Sequence, residues 1–297
     1  MSSAGDCPIE IVVVDDSMTD VNADTMRRLI KEHPFVRWVR NERNLGIDAN
    51  IQRAVDLAET DYAWLIGEDD LFLPGAVARV HRRIQPGEEA YLFANYRYVD
   101  IDPSIVLGTA SSEQLPASMP RNEFIANHLW ASGFIGACIV RKSDWVATDP
   151  APYRGTYFTH VGRIAEILAR YPSVAVEAQH CVANRVEGGD AFTWKNDSYG
   201  VFIGFLTMCT RVGARVPEMA SLMADVASDF ERRFRILSLR AAVRLRSDRG
   251  FDRRQFDTYL RDSARLGTVK RYLMLLISVT PPQLLSPLVR LYRRVLR

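Results

Sequence analysis

Three short apolar runs, separated by two stretches of helical periodicity, constrain the fold of this chain most strongly. The runs are Ile9–Val14, Val36–Val39 and Tyr62–Ile66. Between the second and third runs, apolar residues such as Ile47 and Ile51 recur at the spacing of one helix face. Strand, helix, strand, helix and strand in this order are typical of a parallel sheet. We therefore predict an α/β fold with a mostly parallel sheet flanked by helices.

An acidic cluster directly follows the third run. Gly67 ends the run, and Glu68, Asp69 and Asp70 come next. In parallel sheets, ligands gather at the carboxyl ends of the strands. Adjacent carboxylates repel one another, so one of them is protonated unless they share a cation. Because oxygen ligands suit Mg²⁺ or Mn²⁺, we predict a divalent metal site here. The alternative is a polar turn that leads into the helix after Pro74.

Four motifs resemble those of the family-two glycosyltransferases, which have the GT-A fold. They are IVVVDDSMTD at residues 11–20, NLG at 44–46, WLIGEDDLFLP at 64–74 and SGFIGACIVR at 132–141. The third and fourth motifs are most similar to the abequosyltransferase-like branch. The resemblance covers residues 9–190, and it implies the transfer of a sugar from a nucleoside-diphosphate donor.

The resemblance also implies roles for individual acids. Asp15 or Asp16 would contact the nucleotide base, and Asp69 would contact the ribose. Asp69 and Asp70 would bind a metal ion, Mn²⁺ or Mg²⁺, that bridges the diphosphate and stabilises it as it leaves. Gly67 stands where the commoner family motif has an Asp. The family inverts the anomeric carbon by a single displacement, and we expect the same outcome here.

The catalytic base is harder to assign. Family members carry an acidic pair at the start of a helix, and in this chain His160 is the nearest ionisable group to that place. An imidazole with a pKa of about 6.5 can take a hydroxyl proton at neutral pH. We therefore predict that His160 is the base, with Asp144 and Asp149 as weaker candidates. The alternative is that His160 caps or packs against the helix.

Residues 184–190 are predicted to form a flexible loop near the diphosphate. In this loop Arg185 would pair with phosphate in a bidentate manner, and an ordinary surface loop is the alternative. Nearby, His180 is predicted to be a hydrogen-bonded core residue rather than a late metal ligand.

One part of the family pattern has no counterpart in residues 1–8. The family begins with a strand and a helix that carry an Ile-Pro-Thr-Tyr-Asn-like motif. We expect that the natural chain starts further upstream; the alternatives are a shortened enzyme and an inactive copy. The missing strand lies in the middle of the family sheet, so its absence would leave unpaired strand edges beside a gap.

The charge is distributed unevenly along the chain. From Asp229 to the C-terminus, 17 Lys and Arg face 6 Asp and Glu, so this part carries +11 and the rest carries −9. Phe230–Arg246 and Leu284–Arg297 combine arginines with apolar residues at helical spacing. We predict a catalytic domain at residues 1–198 and a basic helical tail at 199–297 that binds an anionic membrane surface. The alternative is a tail packed on the catalytic domain.

These observations lead to one functional prediction with two rivals. The prediction is a hexosyl- or deoxyhexosyltransferase acting on a lipid-linked or cell-surface polysaccharide acceptor. Four cysteines without a close pair suit a reducing compartment, so we expect a cytoplasmic protein on the inner face of the membrane. One rival is an inactive nucleotide-binding or scaffold copy. The other is a nucleic-acid binder, which we disfavour because the acidic body would repel phosphate.

Overall fold

A computed structural model describes residues 8–186 and 197–285. The strands are Ile11–Asp15 (β1), Val36–Arg40 (β2), Tyr62–Trp64 (β3), Leu71–Phe72 (β4), Tyr91–Val99 (β5), Val106–Thr109 (β6), Ser118–Pro120 (β7), Cys138–Arg141 (β8) and Ser173–Arg185 (β9). The helices are Ala23–Glu32 (α1), Ile47–Leu57 (α2), Ala76–Ile84 (α3), Arg121–His128 (α4), Lys142–Val146 (α5), Thr159–Ala169 (α6), Ser198–Arg215 (α7), Ala220–Phe234 (α8), Leu239–Ser247 (α9), Arg253–Gln255 (α10) and Thr268–Val279 (α11). No helix in the described ranges is long and apolar enough to cross a bilayer.

The strands form two sheets. The parallel pair β1–β2 is one, and seven strands in the order β3-β8-β5-β9-β4 form the other, with β6 on β5 and β7 on β9. The α/β class is confirmed, but the prediction of a mostly parallel main sheet was wrong. Only β5 and β9 pair in parallel there, because β8 runs in the opposite direction between β3 and β5. Strand β6 also returns antiparallel from β5 through the turn at residues 100–105.

The expected break in the sheet is present. Strand β1 pairs with β2, strand β3 pairs with β8, and no strand of the described residues joins β1 to β3. Side chains of β1 are consequently less buried than those of a central strand. Ile11, for example, is 42% exposed, and Val12, Val13 and Val14 are half-buried. We call residues 11–40, which comprise β1, α1 and β2, the N-terminal layer.

The hydrophobic core lies between the main sheet and helices α6, α7 and α8. Leu92 and Phe93 of β5 are fully buried. Helix α6 is buried along most of its length, and α7 packs on it and on α8. The ring of Phe230 on α8 stacks on Phe205 of α7 with 4.0 Å between centroids. The boundary predicted at residue 198 stays a prediction, although α7 and α8 share this core.

Local predictions failed where strands are short or exposed. Turn-forming residues between positions 95 and 122 favour loops, but this segment contains the end of β5 and both β6 and β7. Strand β6 is largely exposed, so its sequence does not alternate between buried and exposed residue types. The largely apolar segment from Phe134 to Val140 suggests a strand, but strand β8 begins only at Cys138, after two short 3₁₀ turns. The basic stretch 230–246 is two helices, because Arg235 ends α8 in the left-handed conformation.

Candidate active site

A cavity of about 460 Å³ opens at the carboxyl ends of β3, β5 and β9. Its lining has an acidic side, formed by Glu68, Asp69 and Asp70, and an aromatic side described below. The predicted residues Asp69, Asp70, Arg185 and His160 all line this one cavity. The expectation that ligand-binding groups gather where the strands end is therefore met by the geometry.

The carboxylates of Asp69 and Asp70 converge above Gly67. A Cβ atom built on Gly67 would lie 2.7 Å from Asp70 Oδ2 and 3.0 Å from Asp69 Oδ1. Any side chain at position 67 would thus displace both carboxylates. The glycine that replaces the commoner family Asp leaves the space into which the two remaining carboxylates fold.

Burial and the neighbouring charge of Asp69 raise the pKa of Asp70 to about 7. The backbone amide of Arg185 donates to Asp70 Oδ1 at 3.4 Å and opposes this rise only partly. When two carboxylates lie close together, one of them favours its protonated form. A cation bound between them restores the ionised form, so such a pair is suited to sharing a cation. This electrostatic arrangement matches the one expected from the sequence.

Mg²⁺ and Mn²⁺ fit these residues. Within residues 8–186 and 197–285, no group of three or more His, Cys, Asp or Glu side chains is arranged to hold a metal ion. A hard cation held by one or two carboxylates takes its other ligands from phosphate and water. Asp69 and Asp70 would therefore provide only part of a coordination shell, and metal binding by these two residues stays a prediction.

Arg185 lies at the end of strand β9, not in a loop as predicted. The strand continues through Arg185 because it pairs in parallel with β5, where Val99 is opposite Arg185. Its Nε donates to the backbone carbonyl of Asp69 at 2.7 Å. The guanidinium is thereby fixed next to the acidic side of the cavity, while residues 187–190 of the predicted loop lie outside the described residues.

Asp15 and Asp16 are not brought to the cavity lining. Asp16 instead holds the turn before α2, because its carboxylate accepts hydrogen bonds from Leu45 N at 2.7 Å and Gly46 N at 3.0 Å. Asp15 accepts from Ser17 N at 2.9 Å. Burial alone would raise the pKa of Asp15, but this hydrogen bonding and the nearby Arg40 lower it overall. Contact of either acid with a nucleotide base stays a prediction.

His160 lies in the first turn of α6 and is almost completely buried. Its Nε2 is 3.1 Å from the backbone oxygen of Ser132, so this nitrogen donates and Nδ1 carries the lone pair. Nδ1 is buried and has no hydrogen-bond partner among the described residues. Burial lowers the pKa of His160 to about 4, a change that the charge of Asp48 opposes. His160 is therefore neutral at pH 7, and its role as base stays a prediction.

The other ionisable candidates are engaged elsewhere. Asp144 is buried and pairs with Arg141 at 2.6 Å and with Arg170 at 3.3 Å. Asp149 accepts a hydrogen bond from the Ala151 amide on the surface. His180 is half-buried rather than in the core, and its Nδ1 lies 2.9 Å from Oε1 of the exposed Glu113.

Sequence reasoning missed the residues that shape the turn before α6. Asp48, on α2, accepts hydrogen bonds from the amides of Gly155, Tyr157 and Thr159 at 2.9, 3.2 and 3.1 Å. Tyr157, at a φ of 65°, lines the cavity and donates its hydroxyl to Asp197 at 2.5 Å. The contacts of Asp48 join segments more than 100 residues apart, and the Tyr157–Asp197 contact spans 40 residues, so no local pattern reveals them.

The aromatic side of the cavity was also missed. Its members come from β5, from the segment around α4 and β8, and from α8; they are Tyr96, Tyr98, Trp130, Phe134, Phe230 and Phe234. Tyr96 packs on Phe134 with 4.4 Å between ring centroids, and Arg233 lies over the Trp130 ring at 4.4 Å. The alternation of Tyr96 and Tyr98 along β5 was the one available sequence signal. Flat apolar faces of this kind bind sugar rings or apolar chains.

Comparison with known proteins agrees with this geometry. Residues 3–146 match the family described as Glycosyl transferase family 2. Over 165 residues the chain is 27% identical to the abequosyltransferase RfbV of Salmonella typhimurium, covering 52% of this chain and 50% of that protein. It is 33% identical over 88 residues to an uncharacterized protein of Mycobacterium tuberculosis, covering 30% of this chain and 27% of that one. The chain thus spans about half the length of the Salmonella relative.

Solved structures of S. aureus TarS residues 1–349 are similar in fold. The complex with UDP-GlcNAc has a TM-score of 0.59 at 12% identity, and the complex with UDP has 0.56 at 11%. Each comparison covers 97% of this chain and 85% of TarS. The GT-A architecture predicted from the motifs is therefore confirmed, as is the presence of a glycosyl transferase family 2 domain.

Proposed function

We propose that this chain, which carries a family 2 glycosyltransferase domain, transfers a hexosyl or deoxyhexosyl group from a nucleoside-diphosphate sugar to an acceptor hydroxyl. The observation that carries the proposal is the convergence of Asp69 and Asp70 over Gly67, beside Arg185, at the mouth of a cavity with an aromatic wall. Similarity to an abequosyltransferase and to TarS, which was solved with UDP and UDP-GlcNAc, supports the same class of reaction.

In this reaction the bond from the anomeric carbon to the diphosphate oxygen breaks, and a bond to the acceptor oxygen forms. The diphosphate leaves with the electron pair, and the acceptor loses its hydroxyl proton to a base. Attack opposite to the leaving group inverts the anomeric configuration. A divalent cation held by Asp69 and Asp70 would supply Lewis-acid stabilisation of the diphosphate. Arg185 would add a second positive charge on the same side.

His160 is the proposed base. Its Nδ1 lone pair belongs to a neutral imidazole at pH 7, because the pKa is about 4. Such a weak base is sufficient if the proton leaves late, because the acceptor oxygen becomes strongly acidic once its bond to the anomeric carbon forms. An oxocarbenium-like transition state has this order of events.

We propose that the aromatic wall receives the acceptor. Tyr98, Trp130 and Phe234 line the same cavity as the acids, and their rings would pack on a sugar or on the chain of a lipid-linked glycan. A lipid-linked or cell-surface polysaccharide acceptor agrees with this wall. Docking of the chain on the cytoplasmic face of the membrane belongs to the same proposal.

An inactive copy that only binds nucleotide is the second candidate. The break between β1 and β3 among the described residues, together with the low basicity of His160, favours it. The two candidates differ in turnover and not in nucleotide binding.

A panel of UDP-, GDP-, CDP- and TDP-sugars tests the proposal. We expect at least one donor to raise the melting temperature only with Mn²⁺ and to release its nucleoside diphosphate under turnover. His160→Gln should retain the stabilisation and lose the release. Stabilisation without release by the unmodified chain would assign the inactive copy. If no donor causes either stabilisation or release, both the enzyme and the inactive copy are refuted.

A further inference from the structure

Helix α11 presents its apolar side to the solvent. The exposed side chains of this helix, apart from Thr268, are all apolar: Val269, Tyr272, Leu273, Leu276 and Val279. We call these five residues the α11 outer face. Val269 is 75% exposed, Tyr272 60% and Val279 50%. Surface helices of water-soluble proteins ordinarily show the opposite pattern, with polar residues outward.

The opposite side of α11 is anchored by polar as well as apolar groups. Arg271 donates to the backbone carbonyls of Ser263 and Leu266 at 2.8 and 2.9 Å. Met274 is fully buried, and Ser278 is almost fully buried on the same side of the helix. These contacts fix the rotation of the helix about its axis. The outward position of the apolar residues is therefore a property of the fold and not of a loosely attached helix.

The length and continuity of the outer face indicate an interaction surface. Its residues follow the i, i+3, i+4, i+7 spacing, so they form one stripe about 15 Å long. Single exposed apolar residues are common, but a continuous stripe on a helix marks a binding surface. Leu284, which follows the helix and is 65% exposed, extends the apolar character beyond Val279.

The stripe belongs to a basic part of the chain. Among the described residues from Asp229 onward, 13 Lys and Arg face 6 Asp and Glu. Helix α9 packs against α11, where Arg246 donates to Thr280 O at 2.7 Å, and α9 also carries the exposed arginines Arg240 and Arg244. An apolar stripe next to a basic helix matches a bilayer interface, where acyl chains receive the stripe and anionic headgroups receive the charge.

We propose that the α11 outer face is a docking surface for membranes that contain anionic phospholipid. A second copy of this chain is a poorer occupant, because a symmetric contact would bring the same positive charge against itself. The proposal rests on the membrane docking included in the proposed function, which it locates on α11, but it does not depend on turnover. A lipid-linked acceptor would be encountered at the same surface.

Co-sedimentation of the full chain with vesicles tests the proposal. One set of vesicles is pure phosphatidylcholine, and the other contains phosphatidylcholine and phosphatidylglycerol at a ratio of about 7:3. The test variant is Tyr272→Glu with Leu276→Glu. The matched control is Ile101→Glu with Val106→Glu, which places the same charges on exposed apolar residues of the β5–β6 hairpin. All proteins are compared at equal concentration and salt.

We expect the unmodified chain to bind the anionic vesicles at least about tenfold more tightly than the neutral ones. The α11 variant should lose at least about tenfold of this affinity, and the control should stay within about twofold. Equal partitioning of the α11 variant and the control would overturn the proposal. So would a concentration-dependent dimer in light scattering that only the α11 variant abolishes, because a second copy would then occupy the face.

Nucleotide binding separates this proposal from the proposed function. The α11 variant should show the same Mn²⁺-dependent thermal stabilisation by nucleotide sugars as the unmodified chain. Loss of vesicle binding with retained stabilisation supports the docking surface. Loss of both would indicate a misfolded variant, and the milder Val269→Ser with Leu276→Ser then decides by the same tenfold criterion.

Discussion

The N-terminal layer and the seven-stranded sheet are held together by different kinds of interaction. In the layer, Ile11 is 42% exposed. Ion pairs join the layer to neighbouring residues; Arg37, for example, contacts Glu10 at 2.9 Å and Glu59 at 3.1 Å. In the main sheet, Phe93 is fully buried against the ring of Phe124. Exposed ion pairs contribute little to stability, whereas buried aromatic residues contribute a great deal.

The two regions also differ in what their acids contact, although both sets of acids follow an apolar run in the sequence. Asp16, at the end of β1, binds the turn before α2 with both carboxylate oxygens. Asp69 and Asp70, beyond the end of β3, direct theirs to the space above Gly67 and line the cavity. An apolar run followed by two acids therefore predicts where carboxylates lie, and only the surrounding contacts show which of them remain available for a ligand.

A pair of truncations should reveal the largest difference between the two regions. Phe93→Ala should lower the free energy of unfolding by about 3–5 kcal/mol, because it removes a fully buried ring. Val13→Ala, in half-buried β1, should lower it by about 1 kcal/mol or less. Urea unfolding at pH 7 measures both. Equal losses would show that the N-terminal layer is packed as firmly as the main sheet.

Neutralising acids should sharpen the functional side of the comparison. Asp70→Asn should reduce the release of nucleoside diphosphate by at least about a hundredfold, since it removes charge from the predicted metal site. Asp16→Asn should leave kcat within about threefold and act mainly on KM through the turn that it holds. Steady-state kinetics with the best donor of the panel measures both variants. A larger loss of kcat in Asp16→Asn would reverse the assignment.

A smaller effect is expected from the titration of His160. The pKa of about 4 in the folded chain lies below the unfolded value of about 6.5, so its contribution to stability is complete above pH 6.5 and is lost as the pH falls. Between pH 7 and pH 5 this amounts to about 2 kcal/mol. The glutamine of His160→Gln can still donate to Ser132 O but does not titrate. Between pH 7 and pH 5 the stability of this variant should therefore fall by about 2 kcal/mol less than that of the unmodified chain. Urea unfolding of both proteins at pH 7 and pH 5 measures this difference. Equal losses of stability in the unmodified chain and in His160→Gln would contradict the burial of His160 in solution.

The parts of the fold that the sequence predicts are those with strong local periodicity. Helices α1, α2, α3 and α6 and strands β1 and β2 lie close to where apolar spacing and turn residues indicated. The antiparallel insertion of β8 between β3 and β5 was not predictable, because strand order depends on contacts far apart in the chain. The exposed strand β6 was missed for a different reason, since it carries no alternation of buried residues.

The site was predictable to a similar extent. The acidic motif and His160 line one cavity because strand β3 ends and helix α6 begins at the same edge. The anchoring of Tyr157 by Asp48 and Asp197 depends on segments distant in sequence. The outward face of α11 required the structure as well, because the sequence shows an apolar helix without showing which side is buried.

Calorimetric titration of the chain with nucleoside diphosphates, UDP and CDP first, with and without Mn²⁺, tests the central claim most directly. The account predicts saturable binding of at least one nucleotide that requires Mn²⁺ and disappears in the double variant Asp69→Asn with Asp70→Asn. Binding that is equally strong without the metal and in the double variant would contradict it.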